Sequence, residues 1–207
     1  PLIKAFNANE DVHSATASKV FSVPLEEVTS DMRRKAKVVN FGIMYGAGPF
    51  RLGNELNINR NDALELIHQY FKSYPGIKNY IDSTLEFARQ NKYVETLIGR
   101  RRYVPEIDAS NKMTREGAER VATNMPIQGT AADIIKIAMI DIDKALDAQN
   151  LASKMILQVH DELVFEVLPD ELETVRTIVK DKMENVIQLS IPLKVDMGVG
   201  QNWLEAH

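Results

Sequence analysis

Gln158-Val159-His160-Asp161-Glu162-Leu163-Val164-Phe165-Glu166 places two adjacent acids between two apolar runs. Met155-Ile156-Leu157 lies just before this stretch, and Leu163-Val164-Phe165 follows the acids. Both flanks are short, apolar, partly β-branched and without helix caps, so they predict a hairpin over about 154–168. A hairpin tip with paired carboxylates offers hard oxygen donors, which Mg²⁺ prefers. Adjacent strand residues point to opposite faces. The two acids therefore need not share one metal; if only one of them binds it, Asp161 is the choice. The competing reading of the same residues is a solvated acidic turn.

Upstream of this hairpin the pattern is mostly helical. Residues 11–21 have helical spacing, with Asp11 as a cap for the segment carrying His13. Thr29, Ser30 and Asp31 offer an N-cap for a helix from about 32 to Tyr45, with Gly46 as its stop. Asn59 or Asn61 caps the next helix, and Pro75 begins another. Residues 93–98 and 102–104 read as a small hairpin about Gly99. A helix from near Lys112 is kinked or ended by Pro126, and a long helix follows from about Gly129 to Ala148. Past the acidic hairpin, Asp170 is expected to cap a last helix running to Val186, and residues 192–199 to form a final strand. The fold class expected is α+β, mainly helical at first and then alternating strand with helix.

The 207 residues, 44% of them hydrophobic, suffice for one large domain or two small ones with a real core. There is no cysteine, which excludes disulfides and cysteine-based zinc sites. No apolar run is long enough to span a membrane. The net charge of −4 argues against indiscriminate nucleic-acid binding. The charge is uneven, however: Arg33, Arg34, Lys35 and Lys37 cluster, Arg100, Arg101 and Arg102 are consecutive, and much of the acid follows Asp161. A local basic face is compatible with this distribution. Pro1-Leu-Ile-Lys-Ala-Phe6 reads as the continuation of something already under way, so the sequence is expected to be a fragment.

Two stripes point to chemistry. Arg33, Lys37, Phe41 and Tyr45 step by four along one helix, so they share a slowly drifting face. Cations occupy its first half and aromatics its second. A nucleoside triphosphate has the same layout, with phosphates at one end and sugar and base at the other. The other reading is a solvated basic turn followed by core aromatics. Gly42, costly in mid-helix, suggests that something approaches that face closely. Arg120, Asn124 and Gln128 also step by four, and their donors suit the N3 and O2 acceptors of a minor groove. An ordinary polar helix face would read the same way.

Together these residues resemble the motifs of family A DNA polymerases, the bacterial DNA polymerase I type. Arg33-x₃-Lys37-x₇-Tyr45-Gly46 resembles that family's fingers-helix motif, and Gln158-Val-His-Asp-Glu162 its palm motif C. Thr123-Asn-Met-Pro-Ile-Gln-Gly-Thr-Ala-Ala-Asp-Ile-Ile135 is similar to the segment between them, and Gln201-Asn-Trp-Leu-Glu-Ala-His207 to the family's C-terminus. The resemblance implies a fingers subdomain over about 1–110 and part of a palm over 111–207. It implies that Arg33, Lys37 and His13 hold a triphosphate, with Lys37 a proton donor to pyrophosphate. Phe41 would pack on the sugar and Tyr45 lie beside the templating base. Arg120, Asn124 and Gln128 would track the minor groove, and His160 would touch the primer end. Asp161, with Glu162 the less secure partner, would hold catalytic Mg²⁺ in a two-metal nucleotidyl transfer.

The same resemblance implies primer–template DNA, dNTP and the upstream part of the same polypeptide as partners, and a place in the bacterial cytoplasm at the nucleoid. The family's second catalytic Asp belongs to a palm strand expected upstream of Pro1. The chain alone is therefore expected not to extend a primer, and to self-associate through the sheet face that strand would cover. The alternative is a non-catalytic nucleotide- or DNA-binding module.

Overall fold

A computed structural model describes residues 2–206 as an α+β chain, mostly helical, with two separate two-stranded antiparallel sheets. The chain forms two compact units, one ending at Gly129 and the other beginning at Thr130.

In the first unit local capping chemistry sets most boundaries. A short α1 (Leu2–Asn7) precedes α2 (Val12–Phe21). The Asp11 carboxylate accepts from Ser14 N at 2.7 Å to start α2, and Ser22 ends it in the left-handed region. Thr29 Oγ1 accepts from Met32 N at 3.2 Å and opens α3 (Ser30–Met44). Pro49 sits in the first turn of α4 (Pro49–Leu56). Of the two candidate caps for α5 (Arg60–Ser73), Asn59 serves, its Oδ1 accepting from Asp62 N at 2.9 Å. Pro75 begins α6 (Pro75–Asn91).

The hairpin that follows, β1 (Tyr93–Glu95) with β2 (Arg101–Tyr103), is shorter than its sequence pattern. Leu97 and Ile98 fall in the connecting turn and are exposed. The core of α2 to α5 joins Val20, Val39, Ile43, Leu52, Leu56, Ala63 and Tyr70. Leu52 is fully buried there, worth about 1.5–3 kcal/mol. Gly42 owes its place to this packing, not to a ligand: a Cβ on it would stand 3.1 Å from Leu52 Cδ1 and 3.5 Å from Ala47 Cβ. The close approach the sequence suggested is α4 lying on α3.

Pro126 does not end its helix. α7 runs unbroken from Lys112 to Ala148 with Pro126 inside it. Proline removes one ladder donor and crowds the preceding turn. The helix is held from outside on the stretch before Pro126: the Tyr80 hydroxyl donates to the Thr123 carbonyl at 3.0 Å, and Ala118, Ala122 and Met125 are buried in a second cluster with Val94, Val104 and Ile107. Tertiary packing outweighs the local penalty.

In the second unit the later turns of α7 bury Ile142 and Leu146 against Val175, Ile178 and Val179 of α8 (Leu172–Glu184). Met155, Leu163 and Phe165 pack on this cluster from the hairpin β3 (Lys154–Val159) and β4 (Glu162–Glu166). A bulge between Met155 and Leu157 leaves Ile156 and Leu157 exposed.

Two expectations fail in this unit. Asp170 does not cap α8; Glu171 takes the cap position, without a side-chain capping bond. The Glu171 carboxylate instead accepts from Ala152 N at 2.9 Å, Ser153 N at 2.8 Å and Ser153 Oγ at 2.5 Å, tying α8 to the entry of β3. Residues 192–199 form no strand. Among the described residues β3 and β4 pair only with each other, and their outer edges stay unpaired. A short α9 (Trp203–Ala206) follows.

Candidate functional site

Helix α3 turns one face inward and leaves the other open. Ala36, Val39, Gly42 and Ile43 are buried. Arg33 and Lys37 are exposed, and Phe41 and Tyr45 are 45% and 40% exposed. The aromatics are therefore not core residues, contrary to the second half of the rival reading, while the exposed cations fit both readings. Their rings stack at 6.2 Å with a 10° tilt. The imidazole of His13, from the neighbouring α2, lies 5.7 Å from Phe41. The result is a continuous aromatic shelf of His13, Phe41 and Tyr45 with two cations one and two turns before Phe41.

The charges on this face are coupled. Arg33 forks onto Asp11, Nε to Oδ1 at 3.0 Å and Nη2 to Oδ2 at 2.8 Å. That guanidinium holds the Asp11 carboxyl far below the usual carboxylate range. Burial lowers the pKa of His13. Asp11 opposes this shift, and Arg33 and Lys37 reinforce it. The ring therefore favours its neutral form at neutral pH. His13 Nδ1 lies 3.0 Å from Asn40 Nδ2.

Tyr45 also reaches a second feature within the first unit, a cleft of about 1020 Å³. Its walls include Tyr45, Arg51, Arg100, Arg101, Arg102, Arg120, Asn124 and Gln128. The polar stripe of α7 thus faces an arginine-rich groove instead of plain solvent. Arg51 pairs with Glu55 at 2.9 Å and Arg101 with Glu95 at 3.2 Å. Arg100 donates to the Gly129 carbonyl at 3.0 Å, fastening the β1–β2 hairpin to α7.

Arg51 and the arginine run 100–102 were not among the expected site residues. The run was visible in the sequence only as charge, and Arg51 gave no signal. Gly46 closes the corner between shelf and cleft. Its φ is +71°, and a Cβ there would stand 2.7 Å from Arg120 Cγ.

The acidic tip belongs to the second unit. His160 and Asp161 are the two turn residues, with Val159 opposite Glu162 as the last ladder pair. His160 has φ +53°, and its carbonyl accepts from Gln158 Nε2 at 2.6 Å. His160 and Asp161 are exposed and Glu162 is partly covered. Among the described residues there is no group of three or more His, Cys, Asp or Glu able to hold a metal ion. The tip fits Mg²⁺ in the manner of sites that use one or two carboxylates and leave the remaining positions to water and substrate phosphate.

Comparison with known proteins adds to this geometry. The family model for DNA polymerase family A matches residues 1–205. DNA polymerase I of Mycobacterium tuberculosis is 49% identical over 202 residues, covering 98% of this chain and 22% of that protein. DNA polymerase I of Caldicellulosiruptor bescii is 49% identical over 204 residues, covering 99% of this chain and 24% of that protein. The solved POL domain of Pol1 from M. smegmatis, in complex with DNA primer-template and dNTP, superposes with a TM-score of 0.95 at 45% identity. That match covers 99% of this chain and 36% of the other. The chain thus spans under a quarter of the length of these curated relatives.

Proposed function

The chain belongs to DNA polymerase family A, and from that premise we propose that it supplies the nucleotide-holding part and half of the metal-binding part of a DNA-directed DNA polymerase. One observation carries the reading: the open face of α3 runs from cations to an exposed aromatic shelf, and the shelf opens at Tyr45 onto an arginine-lined cleft. A triphosphate and a nucleic-acid strand need those two surfaces side by side. In this reading residues 1–110 provide the fingers, and residues 111–207 provide the part of the palm that carries the acidic hairpin.

The residues divide the work by chemistry. Arg33 and Lys37 neutralise the triphosphate, Arg by a fork and Lys by a point charge. Lys37 donates a proton to the departing pyrophosphate. His13 adds a neutral donor to the same phosphates. Phe41 packs on the sugar, and Tyr45 guards the position of the templating base. Arg120, Asn124 and Gln128 offer donors to minor-groove acceptors without reading sequence. His160 positions the primer end, and Asp161, with Glu162 beside it, holds metal. When bound, a pair of magnesium ions supplies activation of the primer 3′-hydroxyl and charge neutralisation at the phosphates. Primer–template DNA, dNTP and further polypeptide of the same protein are the partners, and the bacterial nucleoid is the place of action. No helix of the described residues is long and apolar enough to cross a membrane.

Among the described residues no group of three or more His, Cys, Asp or Glu gathers about a metal position; in this reading Asp161 and Glu162 need carboxylate from a second segment, and the 207-residue chain by itself does not extend a primer. Primer extension with Lys37→Ala in a longer protein that contains this chain tests the assignment. Loss of turnover with DNA affinity kept supports it. Unchanged turnover refutes the role of Lys37, and extension by the 207-residue chain refutes the need for a second segment.

A further inference from the structure

We propose that Asn40 is a positioning residue for the triphosphate site, fixing His13 as the Nε2–H tautomer so that the ring presents one neutral donor to phosphate. The phosphate part rests on the role given to His13 above; the tautomer rests on geometry alone. Asn40 lies off the Arg33–Tyr45 stripe, on α3 one residue before Phe41, and is partly buried. A mid-helix asparagine is a poor helix former, so its place calls for a side-chain reason.

Asn40 Nδ2 stands 3.0 Å from His13 Nδ1. An amide nitrogen only donates, so Nδ1 accepts and the ring proton sits on Nε2. The amide is held from behind. Nδ2 donates to Thr16 Oγ1 at 3.1 Å, and Thr16 Oγ1 is 3.2 Å from Asn40 Oδ1 and 3.1 Å from the Tyr74 hydroxyl. Thr16 and Tyr74 are buried, at 0% and 2% exposure. Helices α2 and α3 and the α5–α6 junction are thereby joined into one polar chain ending at His13. At its Thr16–Tyr74 end the chain is buried, where a lost hydrogen bond is costly.

The arrangement also opposes the imidazolium. A proton on Nδ1 would face the amide N–H head on. The groups acting on His13 are Asp11, which favours a charged ring, and Arg33 and Lys37, which with burial disfavour it. His13 then contributes a directed hydrogen bond instead of a third positive charge. Asn40 touches neither phosphate nor metal in this account; it acts through the ring.

The test is the ¹⁵N-histidine spectrum of the full 207-residue chain at neutral pH, with His13→Gln identifying the resonance among four histidines. The expected result is the Nε2–H pattern for His13. In Asn40→Asp the carboxylate can only accept, so the proton moves to Nδ1 and the pattern inverts. An Nδ1–H pattern in the unsubstituted chain overturns the proposal, with no need for the variant to fold. Titration with dTTP and magnesium tests the reading beneath it. A shift of His13 Nε2, with binding about tenfold weaker in Asn40→Asp, supports the phosphate role. The right tautomer without a dTTP-induced shift overturns that role and with it the positioning role, while leaving the tautomer assignment in place.

Discussion

Arg33 and Asp11 form a two-point ion pair, 3.0 Å and 2.8 Å, on a carboxylate that also caps α2 through Ser14. The cation assigned to a triphosphate is thus already engaged. Binding must either break the fork or let phosphate share the outer face of the guanidinium. Asparagine caps helices as well as aspartate does, so Asp11→Asn removes the competitor and keeps the helix start. Exposed ion pairs are weak. The expected result is triphosphate binding about two- to fivefold tighter in Asp11→Asn, measured by calorimetric titration. Weaker binding would mean that Asp11 orients Arg33 for its ligand.

Glu171 gives the fold an acid-sensitive joint. Its carboxylate is held below the ordinary glutamate range, first by the Ser153 hydroxyl and then by the amides of Ala152 and Ser153. A depressed folded-state pKa contributes stability above the unfolded-state value and loses it as pH falls through the folded-state value. Thermal unfolding from pH 7 towards pH 3 should therefore show a decline that Glu171→Gln partly flattens. Identical pH profiles for the two chains would remove Glu171 from the account.

Gly46 has φ +71° and no room for a Cβ beside Arg120. Alanine there incurs left-handed strain of about 1–2 kcal/mol and displaces the Arg120 stem. Gly46→Ala should lower stability by about that amount in urea unfolding and also weaken binding of duplex DNA. A stability loss without any change in DNA affinity would separate Arg120 from the groove.

Arg102 lines the cleft beside Arg100 and Arg101. If it meets a phosphate, Arg102→Ala should reduce the slope of log K against log salt for primer–template binding by about one unit. The effect should be alike for unrelated DNA sequences. An unchanged slope with weaker binding would point to a base or sugar contact.

Ile156 and Leu157 are 57% and 47% exposed on β3, in a sheet of only two strands. An apolar, unpaired edge recruits other chains. Sedimentation of the 207-residue chain should reveal dimers or larger species, and Leu157→Glu should shift them towards monomer. A monomeric unsubstituted chain at tens of micromolar would count against this.

The parts legible in the sequence are those governed by neighbours in sequence. Asp11, Thr29, Asn59 and Pro75 start helices as their side chains require, and the apolar runs about Asp161 pair as a hairpin. The stripes on α3 and α7 follow from helical period alone. What escaped depends on partners far along the chain. Pro126 is tolerated where Tyr80 and a buried seam support its helix. Glu171 takes the cap position expected of Asp170 while its carboxylate serves Ser153. Gly42 answers to Leu52, and residues 192–199 form no strand although the β3–β4 sheet has open edges. The Asn40–Thr16–Tyr74 chain joins residues 24 and 58 positions apart, a separation no local pattern encodes.

The two-residue tip at His160–Asp161 has a consequence for tolerance to change. It is the shortest loop that closes a hairpin, and the left-handed His160 already uses its one unusual backbone angle. There is no slack to absorb an inserted or deleted residue. A single insertion would slip the ladder and turn Glu162 and its successors to the opposite face. The tip therefore behaves as a rigid spacer of fixed length, so loop grafts or tags introduced there should disable the site even when Asp161 itself is retained.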